Sequence, residues 1–439
     1  MNTVSTSATP LFDAFHSRSS TVAEGGLFEL LLTGLGCLIP VSVSLYLATQ
    51  KPLFAFGSVQ FIHADLVLLM VVALVGGRAL LAGFHPFRKI LFLPILLLLI
   101  STLLSAVFAA DQLRAAAAVV QVVEFAVFTW CFSLLTSTKS FLRIIHFTLA
   151  WFAFESLVAT VQFLAGDPWP SGTFLVHQEY AMFTGFSAAI AFGLLSAEIS
   201  RRRRVTYFLL LVVLLWGTLL GQERAPWLAF ILGCAAVVYY SGKQRKRLVV
   251  AFAVTVVAGV TFVAAVPQLR DMTLSRLAEA ETDSTRSNTL LSRLALWQAA
   301  GKLFLDHPIL GIGPKNFLSL SPHILSKDEL AGEEALDPHN IWIGILAEQG
   351  ILGFATYIYF SVAVLTVGIR TLRNSLGSRL PSLCLAYTAY HFFWLAMSYH
   401  FFQKGEGHIH FLLIGLMLGQ QRHWTTTIAT ENIAQLPLK

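Results

Sequence analysis

Long apolar runs broken by short polar segments dominate this chain. Runs of about 18 or more apolar residues read as membrane-spanning helices, and about twelve occur. They cover residues 27–48, 60–77, 90–110, 115–136, 142–165, 178–199, 205–221, 225–241, 248–266, 343–369, 381–400 and 408–421. The pattern predicts an all-α polytopic membrane protein. Residues 1–22 read as a disordered cytoplasmic leader with no signal-peptide cleavage pattern, 23–266 as the first nine helices, and 267–340 as one large soluble loop with amphipathic helices. Residues 341–423 then carry the last three helices, and 424–439 form a cytoplasmic tail.

Composition supports lipid as the main solvent. Of 439 residues, 56% are hydrophobic and only 12% charged, and mean hydropathy is +0.70; soluble domains carry roughly 25% charged residues. The net charge of +6 does not indicate nucleic acid, because the basic residues sit in short loops beside the apolar runs. Arg78, Arg88, Lys89, Lys139, Arg143, the run Arg201–Arg204, Lys243, Arg245–Arg247, Arg370, Arg373, Arg379 and Arg422 fall in alternate loops, against Lys51, Arg114, Arg224 and Lys404 in the short loops of the opposite set. Positive loops stay in the cytoplasm, so both termini are expected there and 267–340 outside, in the periplasm. Cys37, Cys131, Cys234 and Cys384 all lie within expected spans and have neither metal-ligand nor disulfide spacing.

The outward loop concentrates the candidate chemistry. In "LLSRLALWQAAGKLFLDHP" (290–308), Leu290, Leu294, Trp297, Gly301 and Phe304 share one helical face, which predicts an amphipathic helix ended by Pro308, suited to a membrane surface. "GIGPKNF" (311–317) reads as a tight turn. In "DPHNIWIGILAEQG" (337–350), Asp337 suits an N-cap and Pro338 the first helical position, with His339 and Asn340 in the first turn. A helix N-terminus attracts anions and disfavours a charged imidazole, which suits His339 to general-base work; an interfacial capping role fits the same residue. Arg224, Arg286 and Arg293 lie on the same side. Their forked guanidinium groups match phosphate oxygens, although each alone also reads as an interfacial anchor. His177 and Glu179, in "GTFLVHQEYAMF", either line a sugar site or cap a helix. Asp65, Glu124 and Glu155 read as interhelical contacts or proton-relay carboxylates. His408 and His410, two residues apart, do not converge on one ion from a helix, and no DxD metal motif occurs in the outer loops; no metal and no cofactor are expected.

With these residues identified, the chain resembles the bacterial O-antigen ligase and O-antigen polymerase superfamily. The resemblance rests on "DHPILGIGPKNF" followed by "DPHNIWIGILAEQGILGF", with His339 and Asn340 at the family's His-Asn position and Glu348 and Gly350 at its Glu-x-Gly pattern. "SGTFLVHQEYAMF", Arg224 at an outer helix end, Arg293 followed by Trp297, and the order of spans around the large loop add to it. It implies a GT-C-like, metal-independent, inverting glycosyltransferase of the bacterial inner membrane that works on the periplasmic face. The donor would be a glycan on undecaprenyl pyrophosphate. The acceptor would be a sugar hydroxyl of lipid A-core in a ligase, or another lipid-linked glycan in a polymerase, with membrane lipids around both. By position, Arg224 and Arg293, with Arg286 beside them, would hold the pyrophosphate. His339 would activate the acceptor, and Asn340, His177, Glu179 and Glu348 would line the substrate. Glu223 stands before Arg224 where the family often has a small residue, and a carboxylate there opposes phosphate binding. The main alternative to a ligase is a polymerase of the same superfamily. A polysaccharide transporter fits less well, because no internal repeat is visible and the polar residues gather in one loop rather than at mid-membrane.

Overall fold

The structure, a computed structural model, describes residues 10–49, 51–56, 59–83, 89–240, 245–267, 270, 271, 274, 289–326, 337–373, 380–395 and 406–434. Helices occupy all twelve of the expected intervals. They are α1 (Pro10–Thr49), α2 (His63–Ala82), α3 (Lys89–Val107), α4 (Gln112–Phe132), α5 (Thr138–Leu164), α6 (His177–Ala197), α7 (Arg201–Leu220), α8 (Arg224–Tyr240), α9 (Arg245–Ala265), α12 (Ile341–Arg373), α13 (Leu380–Leu395) and α14 (Glu406–Ala434). Two further helices, α10 (Thr289–Asp306) and α11 (Phe317–Ile324), lie in the 267–340 loop. Among the described residues, eight helices are long and apolar enough to cross a membrane. The chain is therefore a polytopic helical membrane protein.

Several boundaries differ from the sequence reading, among them the end of α14, which runs to Ala434 into the expected 424–439 tail. Residues 10–22 belong to α1 rather than to an unstructured leader: Pro10 occupies the first helical position, which its fixed φ suits, and the next proline is Pro40. The second span begins at His63, because Val59–Phe61 pair antiparallel with Phe54–Phe56 as a short hairpin (β1, β2). Asp65 then accepts a hydrogen bond from the Ile62 N–H (2.7 Å), closing the first turn of α2.

Helix α6 is the centre of the bundle. Every residue from Tyr180 to Leu194 is buried, as expected of a helix apolar all round. It packs on α5, α7, α8 and α13, and Phe183 stacks on Phe152 of α5 at 5.1 Å. The intramembrane carboxylates hold elements together. Glu155 accepts from the Thr173 N–H and hydroxyl, both at 2.8 Å, tying α5 to the segment before α6. His408 Nε2 lies 3.0 Å from Asp65 and 2.6 Å from Glu124, joining α14 to α2 and α4.

The described part of the 267–340 loop is fastened to α12 by a polar clasp. The N–H groups of Lys315 and Phe317 donate to the two oxygens of Glu348 at 2.8 and 2.9 Å. Main-chain bonds run alongside, from Gly313 to the Glu348 carbonyl (2.8 Å) and from Ile351 to the Pro308 carbonyl (2.9 Å). Backbones come this close only because Gly311 (φ +68°) and Gly350 (φ +62°) lack side chains. A Cβ at either position would fall 2.3–2.4 Å from main-chain atoms of the facing segment. Gly350 also breaks the helical geometry of α12. Asn316 extends the clasp to the α3–α4 corner, accepting from the Asp111 N–H at 2.7 Å.

The amphipathic helix α10 forms, and it buries another face against the protein. Leu296, Ala299, Ala300 and Leu303 pack on Ile312, Phe317 and Ala347, whereas Leu294 is 48% and Trp297 37% exposed. The small alanines let α10 sit close to the clasp, and the larger stripe is left for other contacts. Because Glu348 is 1% exposed and both its oxygens serve the clasp, Glu348→Gln leaves a buried N–H facing an amide NH₂. It should cost about 1–3 kcal/mol, read as a lower thermal midpoint and a lower level of folded protein.

Candidate functional site

Four chain segments meet at one end of the bundle. They are the start of α6, the α7–α8 turn, the first half of α10 and the approach to α12. Arg293 and Trp297, one helical turn apart on α10, face the last of these. The Trp297 indole N–H donates to the Pro338 carbonyl at 2.9 Å. Burial pushes the Arg293 guanidinium down from its usual value; Glu223 opposes that shift, Arg224 adds to it, and Asp337 opposes it. A guanidinium so placed still keeps its charge. These causes put Arg224, Glu223 and Asp337 within electrostatic reach of Arg293.

His339 does not lie in the first turn of a helix. Helix α12 starts at Ile341, and Asn340 is its cap: the Asn340 amide oxygen accepts from the N–H groups of Trp342 (3.0 Å) and Ile343 (3.2 Å). Asp337, expected to cap this helix, instead makes an Asx-type turn, accepting from the His339 N–H at 2.8 Å. His339 takes a left-handed backbone, φ +48°. The same Asp337 oxygen lies 3.2 Å from His339 Nδ1. The group facing the ring is thus a carboxylate, not a helix N-terminus, and Nε2 is the nitrogen turned from it. Both side chains are partly exposed. Sequence reasoning treated Asp337 only as a cap; the Asp-Pro-His spacing was the signal for a turn that returns the carboxylate to residue i+2.

The remaining residues divide. His177 Nε2 is 3.3 Å from Glu223 Oε1, so Glu223, the departure noted beside Arg224, links α6 to the arginine pair. The Trp169 ring lies 4.8 Å from the His177 ring. Glu179 is partly buried, and its Oε2 has no hydrogen-bond partner. Glu348 does not line this group, since its carboxylate is spent in the clasp. Arg286 lies outside the described residues.

His408 and His410 point into different clusters, as their spacing predicts. His410 bonds to Tyr387 and stacks on His391. The donor atoms of Asp65, Glu124 and His408 lie within 4.8 Å of one another, near enough to hold a metal ion. One imidazole N–H shared between two carboxylates accounts for the same convergence.

The structure is a polytopic helical membrane protein with Arg293, Arg224, Glu223, Asp337 and His339 gathered around α10 and the start of α12. Residues 209–358 match the family model described as O-Antigen ligase. The matched segment runs through Arg224, α10, the clasp and His339, and it supports the O-antigen ligase and polymerase superfamily for this chain. A comparison with curated proteins finds no match.

If Asn340 acts as a cap, Asn340→Ala should lower stability by about 1 kcal/mol and leave turnover per folded molecule unchanged. A thermal melt paired with a rate normalised to folded protein checks this, and a selective loss of rate would return Asn340 to the substrate.

Proposed function

We propose that the protein is an O-antigen ligase-type glycosyltransferase of the bacterial inner membrane. It moves a glycan from undecaprenyl pyrophosphate to a sugar hydroxyl of lipid A-core on the periplasmic face, with both termini cytoplasmic. The observation that supports the reading is the Asp337–His339 pair, with Asp337 and Arg224 both acting electrostatically on Arg293, inside the segment matched by the family model. The same arrangement serves a polymerase, whose acceptor is a second lipid-linked glycan.

In the reaction, His339 Nε2 takes the proton of the acceptor hydroxyl as its oxygen attacks the anomeric carbon. The new C–O bond forms as the bond to the pyrophosphate oxygen breaks, and the electron pair leaves with undecaprenyl pyrophosphate. A single displacement inverts the anomeric centre. Arg293 and Arg224 bind the leaving group where its negative charge grows, and such preorganised charge is a large source of rate in a dry site. Asp337 fixes the His339 ring and holds the proton on Nδ1, so that Nε2 is the basic nitrogen.

His339→Ala and His339→Gln should each lower transfer about 10²–10⁴-fold with normal folded protein. Asp337→Asn presents either an amide oxygen or an NH₂ to Nδ1 and should lower kcat about tenfold or more with KM little changed. In-vitro transfer with purified donor and acceptor reads both, and a His339→Gln rate above about a tenth of wild type would remove His339 as the base.

Arg293→Lys keeps the charge but loses the fork. It should remain at least about tenfold impaired, chiefly in kcat, because the fork meets charge that grows as the bond breaks. Wild-type kinetics from Arg293→Ala would take it out of the site. In cells, deletion of the protein separates the two acceptors: core with no attached glycan marks a ligase, and core bearing a single repeat marks a polymerase.

A further inference from the structure

Outside the arginine and histidine group, one aromatic side chain is held with unusual care. Trp169 lies in the segment between α5 and α6, 39% exposed, and its ring is tilted 36° to that of His177. The segment's backbone is bound at several points. The Gln162 amide oxygen accepts from the N–H groups of Ser171 (3.0 Å) and Gly172 (2.9 Å), and Asp167 accepts from the Trp169 N–H (2.8 Å). From the α7–α8 turn, the Gln222 amide reaches across and donates to the Pro168 carbonyl at 2.6 Å. Gln222 itself is in a left-handed conformation, φ +55°, and directly precedes Glu223 and Arg224. Trp169 is therefore fixed to the same turn that carries the proposed pyrophosphate ligand.

We infer that Trp169 is the floor of a sugar-binding subsite, with His177 and Glu223 as its polar wall. A pyranose has a C–H face that packs on an aromatic ring and a rim of hydroxyls that need donors and acceptors. Trp169 offers the ring; the part-exposed Glu223 carboxylate offers an acceptor, and the His177 imidazole, whose Nε2 is buried 3.3 Å from Glu223, offers its other nitrogen. An interfacial anchor would need only exposure to lipid headgroups. It would not need a loop stapled by Gln162, Asp167 and Gln222 to the neighbourhood of Arg224. The preformed shelf lowers the ordering cost of holding a glycan at the reacting centre. The ligand's identity as a glycan rests on the transferase reading; the sugar is either the acceptor ring or the first ring of the donor.

The test uses the full-length protein in detergent with Trp169→Tyr and Trp169→Leu. Leu keeps apolar bulk but has no ring, whereas Tyr keeps a stacking face. Initial rates are measured against acceptor at saturating donor, and against donor at saturating acceptor. Trp169→Leu should raise one of the two KM values about 3- to 10-fold, with kcat little changed and Trp169→Tyr within about twofold of wild type. The affected KM names the source of the sugar. Saturation-transfer NMR with two soluble probes, delipidated core oligosaccharide and repeat-unit oligosaccharide without its lipid pyrophosphate, gives an independent reading: one should bind wild type and Trp169→Tyr but not Trp169→Leu. Unchanged KM values in both variants, or equal losses in both that track the level of folded protein, would overturn the subsite. Wild-type protein that binds a probe through Trp169 yet transfers nothing would overturn the transferase reading and leave the subsite standing.

Discussion

Where a chain leaves water for lipid, its backbone N–H groups need partners, because hydrocarbon supplies none. The buried carboxylate of Glu348 meets that need for the turn at 315–317 and so fixes the 289–326 segment onto α12. Gly311 and Gly350 make the approach sterically possible, and Asn316 carries the attachment on to the α3–α4 corner. Helix α10 has its apolar face on Ile312, Phe317 and Ala347, the floor that the clasp creates. Without that floor, Arg293 would ride on an unattached helix, and the approach to His339 would lose the Trp297 contact that steadies Pro338.

The site built on this support alternates in charge. Going across it, His177 meets Glu223, Glu223 neighbours Arg224 and acts on Arg293, Arg293 feels Asp337, and Asp337 faces His339. An uncompensated pair of arginines at a lipid boundary would repel each other and pay for burial twice. The two intervening carboxylates relieve that, and each guanidinium has five donors to distribute. On the proposed reading, a pyrophosphate would take some of those donors, and it gains most when the cations are already in place. Glu223, which from sequence looked like an obstacle to phosphate, has a second task in this arrangement through His177.

The helices were legible because their signal is bulk apolarity, which needs no tertiary information. The local structure around His339 was not. Asp-Pro-His-Asn contains two good capping residues in four positions, and propensity alone cannot choose between Asp337 and Asn340; the choice falls to where Trp342 and Ile343 must enter the bundle. On α10, helical spacing picked out the stripe through Leu294 and Trp297 as a face suited to a membrane surface, and both residues are exposed. Against the protein the fold buries the Leu296–Ala299–Ala300–Leu303 face, since close backbone approach to the clasp favours small residues, and it uses Trp297 through its N–H. Glu348 was read as lining the site because a carboxylate near a functional motif invites that reading. Its partners lie more than thirty residues earlier in the chain, beyond any local pattern. Glu155, by contrast, does what a buried carboxylate in a membrane helix does at minimum, which is to satisfy the nearest backbone and hydroxyl donors.

The left-handed backbone at His339 bears on function in a way that the helix cap does not explain. Asn340 can cap α12 with any extended residue before it, and a left-handed non-glycine residue costs about 1–3 kcal/mol. Two bonds over-determine the conformation here: the Asp337 carboxylate holds the His339 N–H, and α10 holds the Pro338 carbonyl. What the conformation secures is geometric. It turns the imidazole back so that Nδ1 meets the oxygen that already binds its own backbone, fixing ring and main chain against one carboxylate. A residue whose only duty was to end a loop would relax to an extended conformation and spare the strain. On the proposed transferase reading, a base that must present one nitrogen in one direction gains from a backbone unable to do so.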